Sequence, residues 1–133
     1  MTLAEVLMAL VITGITVAGI VNGYMYCMAA TTKEGLYMAA NGAALERMEQ
    51  LRAARWDTST YPPVDQLAAT NFPNMVVTLD KTEANPIQGT IKTTITQISD
   101  TPPLRKIRVD CVWLFRGNEV VTNTIESCRA PNQ

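Results

Sequence analysis

The sequence predicts an α+β protein in which a long N-terminal helix packs on an antiparallel sheet of about four strands. Residues 6–32 form an uncharged, mostly apolar run, and a helical pattern without proline follows it to residue 55. The rest of the chain carries β-branched segments separated by turn residues. Because the first half of the helix is expected to span a membrane, we divide the chain into a hydrophobic helix, 1–32, and an exported domain, 33–133.

The composition excludes most catalytic and nucleic-acid-binding classes. The 133 residues suit one ordinary domain, and 11 basic and 12 acidic side chains give a net charge of -1. The chain has no histidine, which excludes a His-based triad and any zinc site that needs imidazole. Three cysteines are too few for a four-thiolate metal site. We therefore expect no enzymatic activity, no cofactor and no specific nucleic-acid partner.

The apolar run is long enough to cross a membrane. It follows Glu5, the only charged side chain before Lys33, and its 27 residues would reach roughly 40 Å as a helix. The hydrocarbon core of a bilayer is about 30 Å thick. A buried core helix is the alternative, but it needs a larger domain than the remaining residues provide. No basic segment precedes the run, as it would in a signal peptide or signal-anchor, so we expect a processed, mature form.

Glu5 needs a partner, because a carboxylate in a membrane-bound helix is costly. One candidate is the N-terminus of its own helix, where the helix dipole favours an anion. The other is the α-amino group of Met1 in a neighbouring copy, if copies stagger along an axis. A third interpretation places Glu5 in water near the lipid headgroups. These interpretations stay open at the level of the sequence.

The segment Met1-Thr2-Leu3-Ala4-Glu5, followed by the apolar helix, resembles the mature N-terminus of type IV pilins and type II secretion pseudopilins. The resemblance implies that a prepilin peptidase removes a leader and methylates the Met1 amine. It also implies that Met1, Thr2, Leu3 and Glu5 act in assembly, with Glu5 pairing with a neighbour's Met1 amine. Partners would be further copies of the chain, the inner membrane before assembly, and the pilus or secretion machinery.

The chain departs from many type IV pilins in its lack of a helix-kinking proline near Asn22. Glycine weakens a helix by about 1 kcal/mol per residue relative to alanine. We therefore expect Gly14, Gly19 and Gly23 to be the points of helix flexibility instead.

Three functions are compatible with these features. The first is a structural subunit that self-assembles through its N-terminal helix into a type IV pilus-like filament, in the inner membrane as precursor and then in an extracellular or periplasmic filament. The second is a pseudopilin of a type II secretion system. The third is a single-pass membrane protein whose exported domain binds a ligand and never assembles.

After residue 32 the helix is expected to continue to about residue 55, which gives a total length of about 80 Å. Met48 and Leu51 belong to a face that docks on the sheet, whereas the charged side chains around them, Arg47 included, form the solvated face. The polar, proline-marked segment 57–73 is expected to be a surface loop. A short helical turn is expected at residues 65–67.

Four strands are expected after the loop, at residues 75–79, 89–98, 107–115 and 120–125. The third alternates most clearly between apolar and polar side chains. Residues 116–119 form a turn, and Pro86 and Pro102-Pro103 separate the other units. The result is an antiparallel meander packed on the C-terminal half of the helix.

The cysteines differ in expected role. Cys27 lies in the apolar run and is expected to pack there. Cys111 and Cys128 lie on the exported side, where a disulfide between them is the expected pairing and two free thiols are the alternative. A two-residue turn at 117–118 would place Cys111 opposite Thr124 and Cys128 about 13 Å further along, so a bridge requires the tail to bend back or the register to slip.

The remaining charged residues are interpreted as structural. Asp57 and Asp65 flank a loop and could bind a cation, but the C-terminal tail lacks the acidic residues of the calcium site known in some major pseudopilins. We therefore expect no metal site. The basic residues Arg105, Lys106 and Arg108 are interpreted as a solvated strand face and not as a DNA-binding patch, because acidic residues lie close in the sequence.

Overall fold

The computed structural model describes residues 2–80, 86–116 and 119–132. Within them the chain forms two compact units, residues 1–35 and residues 36–133, which we call the anchor unit and the head unit. The regular elements are helix α1 (Leu3–Ala53), a short 3-10 helix (Ala69–Asn71) and strands β1 (Trp56–Asp57), β2 (Val64–Asp65), β3 (Met75–Asp80), β4 (Ile87–Asp100), β5 (Pro103–Phe115) and β6 (Glu119–Arg129). The predicted α+β class is confirmed.

Strands β3 to β6 form the predicted antiparallel meander, in the order β3-β4-β5-β6. The alternation read from the sequence of β5 matches its two faces: Ile107, Val109, Cys111 and Trp113 are buried, whereas the residues between them are more exposed. The register pairs Met75 with Ile91, Ile91 with Cys111, and Cys111 with Asn123. One face of the sheet therefore carries the core.

The C-terminal part of α1 covers this face. Leu36, Ala40, Ala44, Met48 and Leu51 are all buried, which confirms that Met48 and Leu51 dock on the sheet. Two alanines in the contact let the helix approach the strands closely. Burying a side chain of the size of Met48 or Leu51 contributes about 2 kcal/mol to the free energy of unfolding.

Arg47 was predicted on the solvated face, and this prediction is wrong. Its side chain is only 8% exposed. The guanidinium donates hydrogen bonds to the Pro73 carbonyl oxygen at 2.8 Å and to the Gln50 side chain at 3.0 Å, and it stacks over the Phe72 ring at 5.1 Å. A long basic side chain can cover apolar surface while its head group stays hydrogen-bonded, so periodicity alone misplaces it.

The loop after α1 is held by a small sheet and by Arg105. Strands β1 and β2 pair antiparallel, with Trp56 opposite Asp65. The helical turn expected at residues 65–67 is therefore wrong: Asp65 is in a strand, and the short 3-10 helix lies further along the chain. The Arg105 guanidinium binds both carboxylate oxygens of Asp65 at 2.7 Å, donates to the Leu67 carbonyl oxygen at 3.1 Å and stacks over Trp56 at 4.3 Å.

The C-terminal tail closes the same end of the head unit. Arg129 donates to the carbonyl oxygen of Leu51 at 2.6 Å, in the last turn of α1, where the helix leaves carbonyl groups without an internal partner. The backbone N–H of Asn132 donates to the Trp56 carbonyl oxygen at 2.6 Å. These bonds tie the last residues of the chain to the end of the helix.

The register between β5 and β6 differs from the expected one. Phe115 pairs with Glu119, so three residues separate the paired positions where a two-residue turn was expected. The expected turn residues, Gly117 and Asn118, lie outside the described residues. A shift of one residue exchanges the two faces of a strand, so Asn123, and not Thr124, lies opposite Cys111 on the core face.

Candidate assembly site on the N-terminal helix

The anchor unit begins with a reciprocal pair of hydrogen bonds between Thr2 and Glu5. The backbone N–H of Thr2 donates to Oε2 of Glu5 at 2.8 Å, and the backbone N–H of Glu5 approaches Oγ1 of Thr2 at 3.4 Å. This arrangement is a capping box, in which residues three apart satisfy N–H groups that the first helical turn leaves free. Glu5 therefore has its own helix N-terminus as a partner, the first of the alternatives considered above.

Glu5 keeps capacity for a further donor. The carboxylate of Glu5 is exposed. Within the described residues, its Oε2 atom accepts the hydrogen bond from the Thr2 N–H and its Oε1 atom accepts none. An ionised carboxylate accepts hydrogen bonds on both oxygens. The family resemblance implies a methylated amine at Met1. This residue lies outside the described residues. The neighbour-pairing interpretation therefore stays a prediction.

The rest of the anchor unit presents apolar side chains around its helix. Leu3 is 82% exposed and Ile15 is 69% exposed. An 18-residue window of α1 has a mean hydropathy of 2.2 and none of it is buried, so α1 is long and apolar enough to cross a membrane. The segment is a candidate membrane anchor. Soluble monomers rarely expose an apolar surface of this size.

The polar side chains within the apolar run bond to their own helix. All four threonines of the run donate their hydroxyl hydrogen to the carbonyl oxygen four residues earlier, at 2.7–2.9 Å, and the Asn22 amide does the same to Ala18 at 2.9 Å. A polar group without a partner in hydrocarbon costs several kcal/mol. These internal bonds let the helix enter lipid, or the packed interior of a protein, without leaving those donors unpaired.

Two tyrosines mark the end of the most apolar stretch. Tyr24 and Tyr26 are exposed, and both lie about twenty residues after Val6, the first residue of the run. Twenty helical residues span about 30 Å, the thickness of the hydrocarbon core. Tyrosine is enriched at membrane–water interfaces, where its ring is in the apolar layer and its hydroxyl in water.

The predicted flexibility sites, Gly14, Gly19 and Gly23, all lie inside the continuous helix α1. A methyl group built at any of the three would meet nothing within 4 Å. Alanine therefore fits at each position in the isolated chain, so an effect of Gly→Ala on assembly would report on contacts between copies or on helix flexibility. Flexibility itself stays a prediction.

The predicted Cys111–Cys128 disulfide is corrected by the fold, since both cysteines are free thiols. Cys111 is on the core face opposite Asn123, whereas Cys128 is exposed opposite Lys106, about 16 Å further along β6. The odd spacing of five residues between Asn123 and Cys128 places the two thiols on opposite faces of the sheet. Burial raises the pKa of the Cys111 thiol above its usual value, which keeps it protonated.

Asn123 is a buried polar residue that the sequence pattern does not predict. It is 7% exposed; its Oδ1 accepts from the Trp113 indole N–H at 3.1 Å, and its Nδ2 donates to Oδ1 of Asn41 at 3.1 Å. The amide therefore links β5, β6 and α1. A buried Asn in a strand next to threonines gives no distinctive signal until the register is known.

Replacing Asn123 by alanine is expected to lower the free energy of unfolding of the head unit by about 1.5–2 kcal/mol. The buried Trp113 N–H would lose its acceptor, and a buried donor without a partner costs about this much. Chemical denaturation followed by tryptophan fluorescence measures the change. Thr122→Ala, at the exposed neighbouring position, is the control and is expected to change stability by less than about 0.5 kcal/mol.

The two aspartates considered as cation ligands are occupied by donors of their own chain. Oδ1 of Asp57 accepts from the Ser59 hydroxyl at 2.7 Å and from the Ser59 N–H at 2.9 Å, which holds the pKa of this carboxyl far below its usual range. The hydrogen bonds from Arg105 lower the pKa of Asp65, against the opposing effect of burial. No cluster of three metal-ligating side chains occurs among the residues that the structure describes.

These pKa shifts predict acid destabilisation of the head unit. A carboxyl group whose pKa is lowered by folding stabilises the protein above its unfolded pKa, about 3.9, and this contribution is lost as the pH falls through the folded pKa. The free energy of unfolding should therefore fall as the pH drops from about 5 to 2, as measured by urea titrations. Asp57→Asn should be less stable at pH 7 and should lose less on acidification; an unchanged pH dependence in this variant would contradict the assignment.

The basic residues of β5 are each next to an acid. Lys106 contacts Glu126 at 2.8 Å and Arg108 contacts Asp110 at 2.9 Å, on the strand face away from α1. Arg105 faces the loop and binds Asp65. The three side chains therefore do not form one uncompensated positive patch.

A cleft of about 390 Å³ lies in the head unit. Small-molecule sites are commonly of this size or larger. Its lining combines prolines with small polar side chains: Thr58, Ser59, Pro102, Pro103, Ala130, Pro131 and Asn132. Such a lining offers both hydrogen bonds and apolar contact.

Comparison of the chain with known protein families, with curated proteins and with solved structures finds no match.

Proposed function

We propose that this chain is a structural subunit that self-assembles through its N-terminal helix into a type IV pilus-like filament. The observation that carries the proposal is an exposed apolar helix that opens with the Thr2–Glu5 capping box. The N-terminal sequence resembles that of type IV pilins over the same residues. The proposed subunit lies in the inner membrane as a precursor and then in an extracellular or periplasmic filament.

One apolar surface can serve both locations. In the membrane the helix is surrounded by lipid, and in a filament it is surrounded by the helices of other copies, so its apolar side chains leave water in both. The threonines and Asn22 donate within the helix in either environment. Extraction from lipid into a filament then exchanges one apolar environment for another, and the specificity of assembly has to come from shape and from Glu5.

Glu5 supplies the polar contact between copies in this proposal. In a filament whose helices stagger along the axis, the Met1 amine of one copy approaches the exposed Glu5 carboxylate of the next. Pairing two opposite charges offsets the cost of removing each from water, which neither group could sustain alone. The bond from the Thr2 N–H holds the carboxylate at the helix end and leaves Oε1 for the amine.

The same features suit a pseudopilin of a type II secretion system, whose shorter filament stays beneath the outer membrane. A different class, a membrane-anchored binding domain that never assembles, is favoured by the 390 Å³ cleft of the head unit. In that case the anchor is needed only for attachment, and a helix of unrelated apolar sequence should replace it without loss of function.

The mass of the N-terminal peptide from native material tests the proposal. Processing by a prepilin peptidase predicts a chain that starts at Met1 and carries one methyl group on its amine. An unmethylated amine, or a basic leader that remains attached, would favour the membrane-anchored binding domain.

A further inference from the structure

The head sheet ends in two edge strands. Strands β3 and β6 are its outermost strands. Within the described residues, the backbone bonds of residues 75–79 in β3 run to β4, and those of residues 120–128 in β6 run to β5. Alternate residues of an antiparallel edge strand direct both N–H and C=O away from the sheet. Each edge therefore presents a row of donors and acceptors to the exterior.

The β6 edge lacks most of the features that usually prevent strand addition, whereas β3 is short and has a register shift near its end. Proteins protect edge strands with proline, lysine, bulges or short length. Residues 120–128 contain no proline or lysine and only one charged side chain, Glu126, and β6 has 11 residues. Residues 75–79 contain no charge and no proline. Within the described residues, a long β6 edge with a single charged side chain over residues 120–128 is a liability for a monomer and is useful for a protein that polymerises.

The two edges run in opposite directions because the meander has four strands. Successive strands alternate in direction, so β3 and β6 are antiparallel to each other within one head unit. A rotation about a filament axis, with a rise along it, preserves the direction of each strand relative to that axis. For strands that run along the axis, β6 of one copy is therefore antiparallel to β3 of another copy related in this way.

We propose that neighbouring copies join their head sheets edge to edge, with β6 of one copy pairing antiparallel with β3 of the next. The occupant of each edge is a second copy of this chain, and the inference rests on the proposed assembly into a filament. Pairing of β6 with β6 would also satisfy both backbones, but it requires a two-fold axis, which closes a dimer. Pairing of β6 with β3 leaves an edge free on each side and can continue.

The contact is limited by the six residues of β3 and is small compared with a stable interface between monomers. Edge pairing therefore becomes significant only after the N-terminal helices have brought two copies together. The assembled helices then raise the effective concentration of the β6 edge of one copy near the β3 edge of the next. A head unit without its anchor is expected to remain monomeric.

Cysteine cross-linking of the full-length chain tests the pairing. Thr78→Cys in β3 is combined in turn with Val120→Cys, Thr122→Cys or Thr124→Cys in β6, in a background of Cys27→Ser and Cys128→Ser. All four positions are exposed on the sheet face away from α1. The three β6 positions are two residues apart, so together they test three possible registers of β6 against β3. Sedimented assemblies are oxidised or treated with a short thiol-bridging reagent and analysed by denaturing gel.

At least one pair is expected to give a ladder of dimers, trimers and longer products. Each single variant should give no ladder, and neither should the control pair Thr94→Cys with Thr122→Cys, since Thr94 lies on the inner strand β4. Assemblies that sediment normally but give no ladder with any pair would overturn the edge pairing and leave the filament proposal intact. Dimers from Thr122→Cys alone would indicate β6–β6 contact and overturn it as well. A parent chain that never sediments as an assembly would contradict the proposed function and, with it, this inference.

Discussion

Replacing Glu5 by glutamine is expected to reduce the amount of assembled filament at least tenfold while the chain remains folded and inserted in the membrane. Glutamine can still accept the hydrogen bond from the Thr2 N–H, so the capping box is retained. It cannot pair as an anion with the Met1 amine of a neighbour. Removing one partner of a desolvated ion pair costs about 3–5 kcal/mol, and tenfold corresponds to about 1.4 kcal/mol.

Two comparisons separate the charge of Glu5 from its capping role. Glu5→Ala removes both, and it should assemble no better than Glu5→Gln. Thr2→Val removes the hydroxyl of the capping box but keeps the carboxylate, so it should retain most of the assembly. Sedimentation of sheared material, with membrane extracts as the reference for total protein, measures the yield. Normal yield from Glu5→Gln would show that capping is the only role of this residue and would remove the charge-pairing argument.

Replacing Arg105 by methionine is expected to lower the free energy of unfolding of the head unit by about 3 kcal/mol. Methionine keeps much of the apolar stem but loses both bonds to Asp65, the bond to the Leu67 carbonyl oxygen and the stacking over Trp56. The Arg105 side chain is 19% exposed, so these charge-assisted bonds are only partly screened by water. The loop between α1 and β3 should then open before the sheet unfolds.

Chemical denaturation and amide hydrogen exchange of the loop measure this effect. Arg108→Met is the matched control: its side chain is 48% exposed, its ion pair is on the sheet surface, and the expected loss is below about 0.5 kcal/mol. Arg105→Lys should resemble the methionine variant more than the parent, because lysine cannot form the two parallel bonds or the planar stack. Equal losses from Arg105→Met and Arg108→Met would contradict the assignment of Arg105 as the residue that fixes the loop.

The elements of the fold that are visible in the sequence are those with a strong local pattern. An uncharged run of 27 residues and a following helical stripe through Met48 and Leu51 predict α1, and alternation in β5 predicts a strand with one buried face. The order of the meander also follows, because short turns join neighbouring antiparallel strands. These patterns come from contacts between residues close in sequence or from simple burial.

What could not be predicted depends on register and on contacts between distant residues. Three residues, and not the expected two, separate the paired ends of β5 and β6. This difference of one residue decides whether Asn123 or Thr124 faces the core, and it also places Cys111 and Cys128 on opposite faces of the sheet. The place of Arg47 depends on acceptors in the loop and in β4, far away in the sequence. At the candidate site, the Thr2–Glu5 spacing was visible in the sequence, but its use as a capping box appears only when both bonds are seen.

Electron cryomicroscopy of material sheared from cells that make this chain tests assembly through the N-terminal helix. We expect polar filaments in which residues 3–35 of every copy are enclosed by the same helices of neighbouring copies and the head units face outward. The Glu5 carboxylate should lie within hydrogen-bond distance of a neighbour's N-terminal amine. Recovery of the chain only from membranes, as monomers whose N-terminal helices contact lipid, would contradict assembly through this helix.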